Sequence, residues 1–152
     1  MAAAGPWVLY NDFKLNAFKK LMDLSADSFL VALFTSTSSA ISATVTPATY
    51  TAFATDAHEV SNANGYTTAG VSVGTGSLTG GGATATITFD VADATWTASG
   101  SGIVARAAVL YDNTASGKNA VAYMLLDSAP ADVTVASGNT LTINIANVFT
   151  DA

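Results

Sequence analysis

Few residues in this 152-residue chain could do chemistry, and they are scattered. His58 is the only histidine, it stands beside Glu59, and there is no cysteine. A metal centre or an activated nucleophile needs partners of the right type within reach, and the neighbourhood of His58 offers only carboxylates. Oxygen donors alone can hold calcium, with Asp90 and Asp93 or Asp56 and Glu59 as candidates, yet no twelve-residue calcium loop is present. Asp90 and Asp93 are also the one close carboxylate pair at a strand edge, the arrangement that glycoside hydrolysis requires. Turn capping accounts for them more simply. Gly74-Thr75-Gly76-Ser77-Leu78-Thr79-Gly80 has the glycines of a phosphate loop without its spacing or its Lys-Ser/Thr, and reads as a flexible hairpin tip. The expectation is a protein that is not an enzyme and has no cofactor or metal site.

The basic residues are more informative. Arg106 alternates with Val104, Ala108 and Leu110 on an apolar strand face, where an unpaired guanidinium would be costly. It should therefore form a structural ion pair with Asp90 or Asp93, or else reach a carboxylate across a subunit interface. Lys14, Lys19 and Lys20 are three of the five basic residues and fall on one short helix. They form either a solvated helix face or a basic surface that docks on an acidic partner, aiding orientation more than affinity.

These side chains need a scaffold, and composition says which kind. Charged residues make up 11% of the chain, well under the usual quarter, while 30 residues are Ala and 21 are Thr. Thr suits a pleated, half-wet surface. A β-protein partly covered by neighbours and an acidic protein with a neutral surface both fit. The length suits one domain, 1–152, with a core that needs no staples. A net charge of −6 argues against a nucleic-acid partner. No stretch reaches the roughly 18 apolar residues of a membrane span, and the first residues lack the basic and apolar regions of a signal peptide. The protein is expected to be used without secretion.

Along the chain, residues 1–10 form an apolar arm containing Trp7 and Tyr10, which either tucks into its own domain or reaches a neighbour. Residues 11–24 form a helix capped by Asn11 or Asp12, with Leu15, Phe18, Leu21 and Met22 as its apolar stripe. A β-domain over 28–152 follows. It opens with Phe29-Leu30-Val31-Ala32-Leu33-Phe34, a strand buried on both faces. The long loop 36–64 holds Tyr50 and Phe53, and Asn64-Gly65 marks a turn that tolerates positive φ. Strands are predicted at 66–73, 83–91, 94–98, 103–111 and 120–126, with a last hairpin around Ser137-Gly138-Asn139 whose return strand is 140–149. In that strand Leu141, Ile143 and Ile145 share one face. One leading helix and about eight short strands predict a mainly β fold, an antiparallel β-sandwich or partly open, jelly-roll-like barrel.

Several segments, in order, resemble a family of tailed-bacteriophage virion proteins. They are Tyr10-Asn11-Asp12-Phe13-Lys14 with Lys20, Asp27-Ser28-Phe29-Leu30-Val31-Ala32-Leu33-Phe34-Thr35-Ser36, Glu59-Val60, and Gly65-Tyr66-Thr67. Further along come Thr88-Phe89-Asp90, Ala92-Asp93, Thr95-Trp96-Thr97-Ala98 and Ala105-Arg106-Ala107-Ala108-Val109-Leu110-Tyr111-Asp112. The sequence departs from the family at Ala107, where a bulkier aromatic is expected. The resemblance implies a head decoration (cement) protein on the capsid exterior, assembled in the host cytoplasm. It further implies a homotrimer whose partner is the major capsid protein. Trp7, Tyr10, Lys14, Lys19, Lys20, Tyr50 and Phe53 would then be capsid or subunit contacts. A tail or head–tail connector subunit, and a carbohydrate-binding or adhesive β-module exposing Tyr50, Phe53 or Tyr66, are the alternatives.

Overall fold

Residues 28–34 lack the polar alternation of a half-exposed strand, so their place is inside a sheet. The computed structural model, which describes residues 3–82 and 86–151, puts them there. In chain order the elements are β1 (Trp7–Leu9), α1 (Asn11–Phe18), β2 (Ser28–Phe34), α2 (Tyr50–Thr55), β3 (Val71–Thr75) and β4 (Ser77–Gly80). They continue with β5 (Ile87–Asp90), β6 (Ala94–Thr97), β7 (Ile103–Ala105), β8 (Ala107–Asp112) and β9 (Ala120–Leu125). The last are β10 (Val133–Val135), β11 (Thr140–Ile143) and β12 (Phe149–Asp151). The fold is mainly β, and every strand pairing is antiparallel.

A five-stranded sheet runs in the order β1-β9-β8-β2-β3. The remaining strands form a three-stranded sheet, β12-β5-β4, and the ladders β11-β6 and β10-β7. The arrangement is sandwich-like and is not a closed barrel. Its core is aromatic: Phe29 meets Phe89 edge-on at 5.3 Å, joining the five- and three-stranded sheets, and Tyr66 lies 6.3 Å from Trp96. Ala107 is fully buried, opposite Phe34 on one side and Leu125 on the other.

Several boundaries differ from the sequence expectations. Residues 103–111 are two strands, because Arg106 interrupts the ladder: its N–H donates to Phe34 O at 2.8 Å, and its carbonyl accepts from Leu126 N at 2.9 Å. β7 leaves to pair with β10, while β8 pairs with β2 and β9. The last hairpin is likewise not a paired hairpin, since β10 binds β7 and β11 binds β6. Within 140–149 the inward alternation of Leu141, Ile143 and Ile145 holds, but β12 turns away to join β5. The glycine-rich segment after Gly74 is itself β4, paired with β5. The strand expected over 66–73 starts only at Val71, and that over 83–91 is described as β5 alone, residues 83–85 lying outside the described residues.

The helix expected over 11–24 stops at Phe18. Lys20 takes a left-handed φ of 57°, Leu21 N donates to Asn16 O, and Lys20 N to Ala17 O, which is the Schellman pattern that closes a helix. Neither Asn11 nor Asp12 caps its start. Tyr10 occupies that position without a side-chain bond, and the Asp12 carboxylate accepts from Ala48 N at 3.1 Å instead.

The long loop carries a second helix, α2, whose N-terminus is capped by Thr49 Oγ1 accepting from Ala52 N.

Candidate functional site

Two places gather the polar and aromatic residues of this chain. The first is Glu59, where the loop 36–64 returns to β2. Phe34 and Glu59 form a bridge, Val60 N donates to Leu33 O at 2.9 Å, and Thr35 N to His58 O at 2.9 Å. The Glu59 carboxylate accepts three hydrogen bonds, from Tyr66 Oη at 2.6 Å, Ala69 N at 2.7 Å and Tyr50 Oη at 2.8 Å. Tyr66 Oη in turn accepts from Leu33 N, and Tyr111 Oη donates to Ala69 O. Tyr50 stacks on Tyr111 at 4.4 Å, with the Lys118 ammonium 5.4 Å above its ring.

Burial raises the phenols of Tyr50 and Tyr66, and the Glu59 carboxylate beside them adds to the effect. Tyr111 is raised by burial first, then by Tyr50 and Glu59. A carboxylate with three donors and tyrosines held neutral make a structural lock. A general base would need a lone pair facing a substrate. The sequence sets Glu59 beside His58 and pairs it with Asp56 as a candidate calcium donor; in the structure Asp56 Oδ2 accepts from the Ser39 hydroxyl instead and Glu59 is taken up by the tyrosines. The three donors come from residues 50, 66 and 69, which no local spacing connects.

This lock decides the fate of three expected contact residues. Tyr10 and Phe53 are fully buried, 5.5 Å apart, and Tyr50 is nearly so. The Tyr10 hydroxyl donates to Ala40 O at 2.6 Å, pinning the loop from below. All three hold the loop to the body, so none is a surface contact. Trp7 is half-buried in β1, whose pairing with β9 settles the arm within its own domain. His58 makes a modest contact from Nδ1 to Thr37 Oγ1 at 3.0 Å.

The expected pairing of Arg106 with Asp90 or Asp93 does not occur. The interruption at Arg106 turns its side chain to the β10 side, where Nε meets Asp132 Oδ1 at 2.8 Å. Asp90 Oδ1 accepts from Val91 N, and Asp93 Oδ1 accepts from Ile145 N at 2.7 Å, so both serve turns. Among the described residues no group of three His, Cys, Asp or Glu side chains could hold a metal.

The second place is α1 and the three-stranded sheet beside it. The expected stripe of Leu15, Phe18, Leu21 and Met22 is not the buried face. Phe13 is buried against Phe149 at 5.5 Å with Ala17 one turn on, and of the four only Met22 is buried. Leu15 and Leu21 are half exposed, and Phe18 is 86% exposed. On the sheet, Leu78 and Phe149 both register with Phe89, and Ile87 lies two residues from it, so all share the face turned to α1.

Phe89 is fully covered, but Leu78 and Ile87 are not. Two adjoining hollows of about 330 and 760 Å³ result, sharing Ala17, Phe18, Leu24 and Leu78. Lys14 lines one and Lys20 the other, while Lys19, also exposed, lines neither. Asp23 and Asp27 also border the larger hollow, and their charges balance those of the lysines there; one oxygen of each is engaged by their own turn. Asp27 Oδ2 accepts from Asp23 N, and Asp23 Oδ1 from the Ser25 hydroxyl and N–H, which holds the Asp23 carboxyl below the usual range.

No helix among the described residues is long and apolar enough to cross a membrane. Comparison with protein-family models, with curated proteins and with solved structures gives no match.

Proposed function

We propose that the protein is a structural virion protein that decorates and stabilises a tailed-phage capsid. It clamps adjacent major capsid proteins from the outside of the shell, as a homotrimer, and is not an enzyme. The supporting observation is the asymmetry of its surface. Glu59, Asp90, Asp93 and Arg106 are occupied within the β-body. The face that remains for a partner is the lysine-bordered apolar area on α1, on a chain of net charge −6. The ordered resemblance of the chain to phage virion proteins directs that face to the shell.

A sugar-binding module would need exposed aromatic platforms. Tyr50, Phe53 and Tyr66 are buried, which removes the loop aromatics that reading depended on. The test is co-sedimentation of the purified protein with expanded capsids that lack it. Binding to expanded but not precursor capsids, by a species that light scattering sizes as a trimer, is expected. Hexameric rings or tubes would move the protein to the tail or the head–tail connector. Failure to sediment with either capsid form would end the decoration reading.

A further inference from the structure

Asp112 ends β8 with a fully buried carboxyl group. Its Oδ1 accepts from Thr114 N at 2.7 Å and Ala115 N at 3.2 Å, closing the turn that follows the strand. Its Oδ2 meets no hydrogen-bond donor among the described residues, and the Asp27 carboxyl lies against it. Two chain segments interlock there. Asn113 N donates to Ser28 O at 2.9 Å, Ser28 N to Thr114 Oγ1 at 2.9 Å, and Asn119 Nδ2 to Leu21 O at 3.3 Å. This junction ties residues 19–27, the stretch leading from α1 to β2, onto the end of the five-stranded sheet.

A carboxylate offers only acceptors, whereas a protonated carboxyl adds one O–H donor. Two carboxylates facing each other away from water do not both ionise readily, and a buried acceptor without a donor is costly. One proton removes both costs. We propose that Asp27 and Asp112 hold a single proton between them, and that its release loosens the 19–27 stretch from the sheet. The chain thereby carries a pH-sensitive latch that needs no bound partner.

No basic group takes the place of the proton. Arg106 with Asp132 is the one ion pair among the described residues. Lys20 lines the hollow that Asp27 borders without pairing with it, and Lys118 lies over Tyr50. Asp23 turns Oδ1 to Ser25. β2 has no titratable side chain, and Tyr123 of β9 lies against Tyr10. Burial raises the Asp112 carboxyl and Asp27 adds to that rise, against the lowering effect of the two N–H donors. With a raised folded value, the stability from the latch is complete below about pH 4 and is lost as pH rises through that value.

The test is carboxyl-carbon NMR of the full chain between about pH 3 and pH 9, with Asp112→Asn and Asp27→Asn as variants. In the parent, the Asp27 and Asp112 carbons should move in one common step above the ordinary carboxyl range. Each pK unit of that displacement lowers the folding constant about tenfold across the step. Amide exchange at Ser28 and Asn113 should speed up over the same step, beyond its intrinsic pH dependence. In either variant an amide N–H donates to the remaining carboxylate in place of the proton. No step should then remain above the ordinary range, and the exchange response should be lost. Asp27 is partly exposed, so Asp27→Asn serves if the change at buried Asp112 impairs folding. Separate steps for the two carbons, or a common step without faster exchange at Ser28 and Asn113, overturn the proposal. So does a calcium-dependent shift of both carbons at constant pH, which would put a cation where the proton is assigned.

Discussion

Replacing Glu59 tests whether the long loop is held by one carboxylate. In Glu59→Ala the Tyr66 and Tyr50 hydroxyls and Ala69 N–H lose their acceptor together. Leaving a buried donor unsatisfied costs roughly 1–3 kcal/mol. Tyr66 is buried but Glu59 is only partly so, and water reaching the vacated space offsets some of the loss. A net cost of about 3–4 kcal/mol follows, and for a chain of this length that is a fall in Tm of roughly 6–16 °C.

Glu59→Gln should cost less, for a geometric reason. Tyr66 and Ala69 both donate to Oε1, and only Tyr50 to Oε2. A glutamine carbonyl can keep the first two, while its amide faces a hydroxyl that can rotate to accept. Loss of charge assistance then leaves about 1–1.5 kcal/mol, or roughly 2–6 °C. Scanning calorimetry gives the Tm values, and hydrogen exchange at Val60 and Thr35 reports whether the loop return loosens first. Equal stability of Glu59→Ala and the parent, within about 0.5 kcal/mol by urea titration, would refute the lock.

Other outcomes follow from the same contacts. Burial raises the phenols of Tyr10, Tyr50, Tyr66 and Tyr111. A raised folded-state pKa makes their contribution complete below about pH 10 and lost as pH climbs above it. Ultraviolet titration should show these four tyrosines ionising only together with unfolding; smooth ionisation in the folded state would contradict it. Arg106→Ala should lower Tm by no more than a few degrees, because Asp132 is itself 42% exposed and such pairs contribute about 1 kcal/mol or less. Asp132→Ala should reproduce that loss, and in the Arg106→Ala background it should add little; a full second loss would argue against the pair. Asp112 is buried, its Oδ1 accepts from Thr114 N and Ala115 N, and its Oδ2 meets no hydrogen-bond donor among the described residues. Burial, with the Asp27 carboxyl beside it, raises its pKa, so the stability it contributes is present below about pH 4 and lost as pH rises through the folded value. Asp112→Asn keeps the acceptor and removes the charge, so the variant should gain on the parent as pH rises toward 8 in calorimetric scans. A parent that gains on the variant over that range would reverse the sign.

How far the fold could be read from the sequence depended on whether the signal was local. Leu141, Ile143 and Ile145 alternate with Thr and Asn, so their strand and its buried face were legible. Asn64-Gly65 announced a turn because both tolerate positive φ, and they take 56° and 90°. In contrast, the continuous apolar run through Arg106 says nothing about which sheet each half joins. That division comes from the backbone bonds of Arg106 to Phe34 and Leu126, far apart in sequence. α2 was hidden because it is six residues long and offers a single apolar pair at helical spacing, Tyr50 and Phe53, too short a run to establish a period, and β4 because glycine suggested a loop. The helix face was misread for a related reason. Leu15 and Phe18 match a buried stripe as well as Phe13 and Ala17 do, and only the position of Phe149 chooses between them. Lys14, Lys19 and Lys20 were legible as a basic cluster; that Leu15 and Phe18 between them are exposed was not.

The central claim is that the chain is a shell component that meets its partner through α1. Imaging of purified particles whose genome encodes this chain tests it most directly. The expected result is density for the β-body on the outside of the shell, with Phe18, Lys14, Lys19 and Lys20 turned toward a junction between major capsid proteins. Particles that lack the chain altogether would contradict the claim.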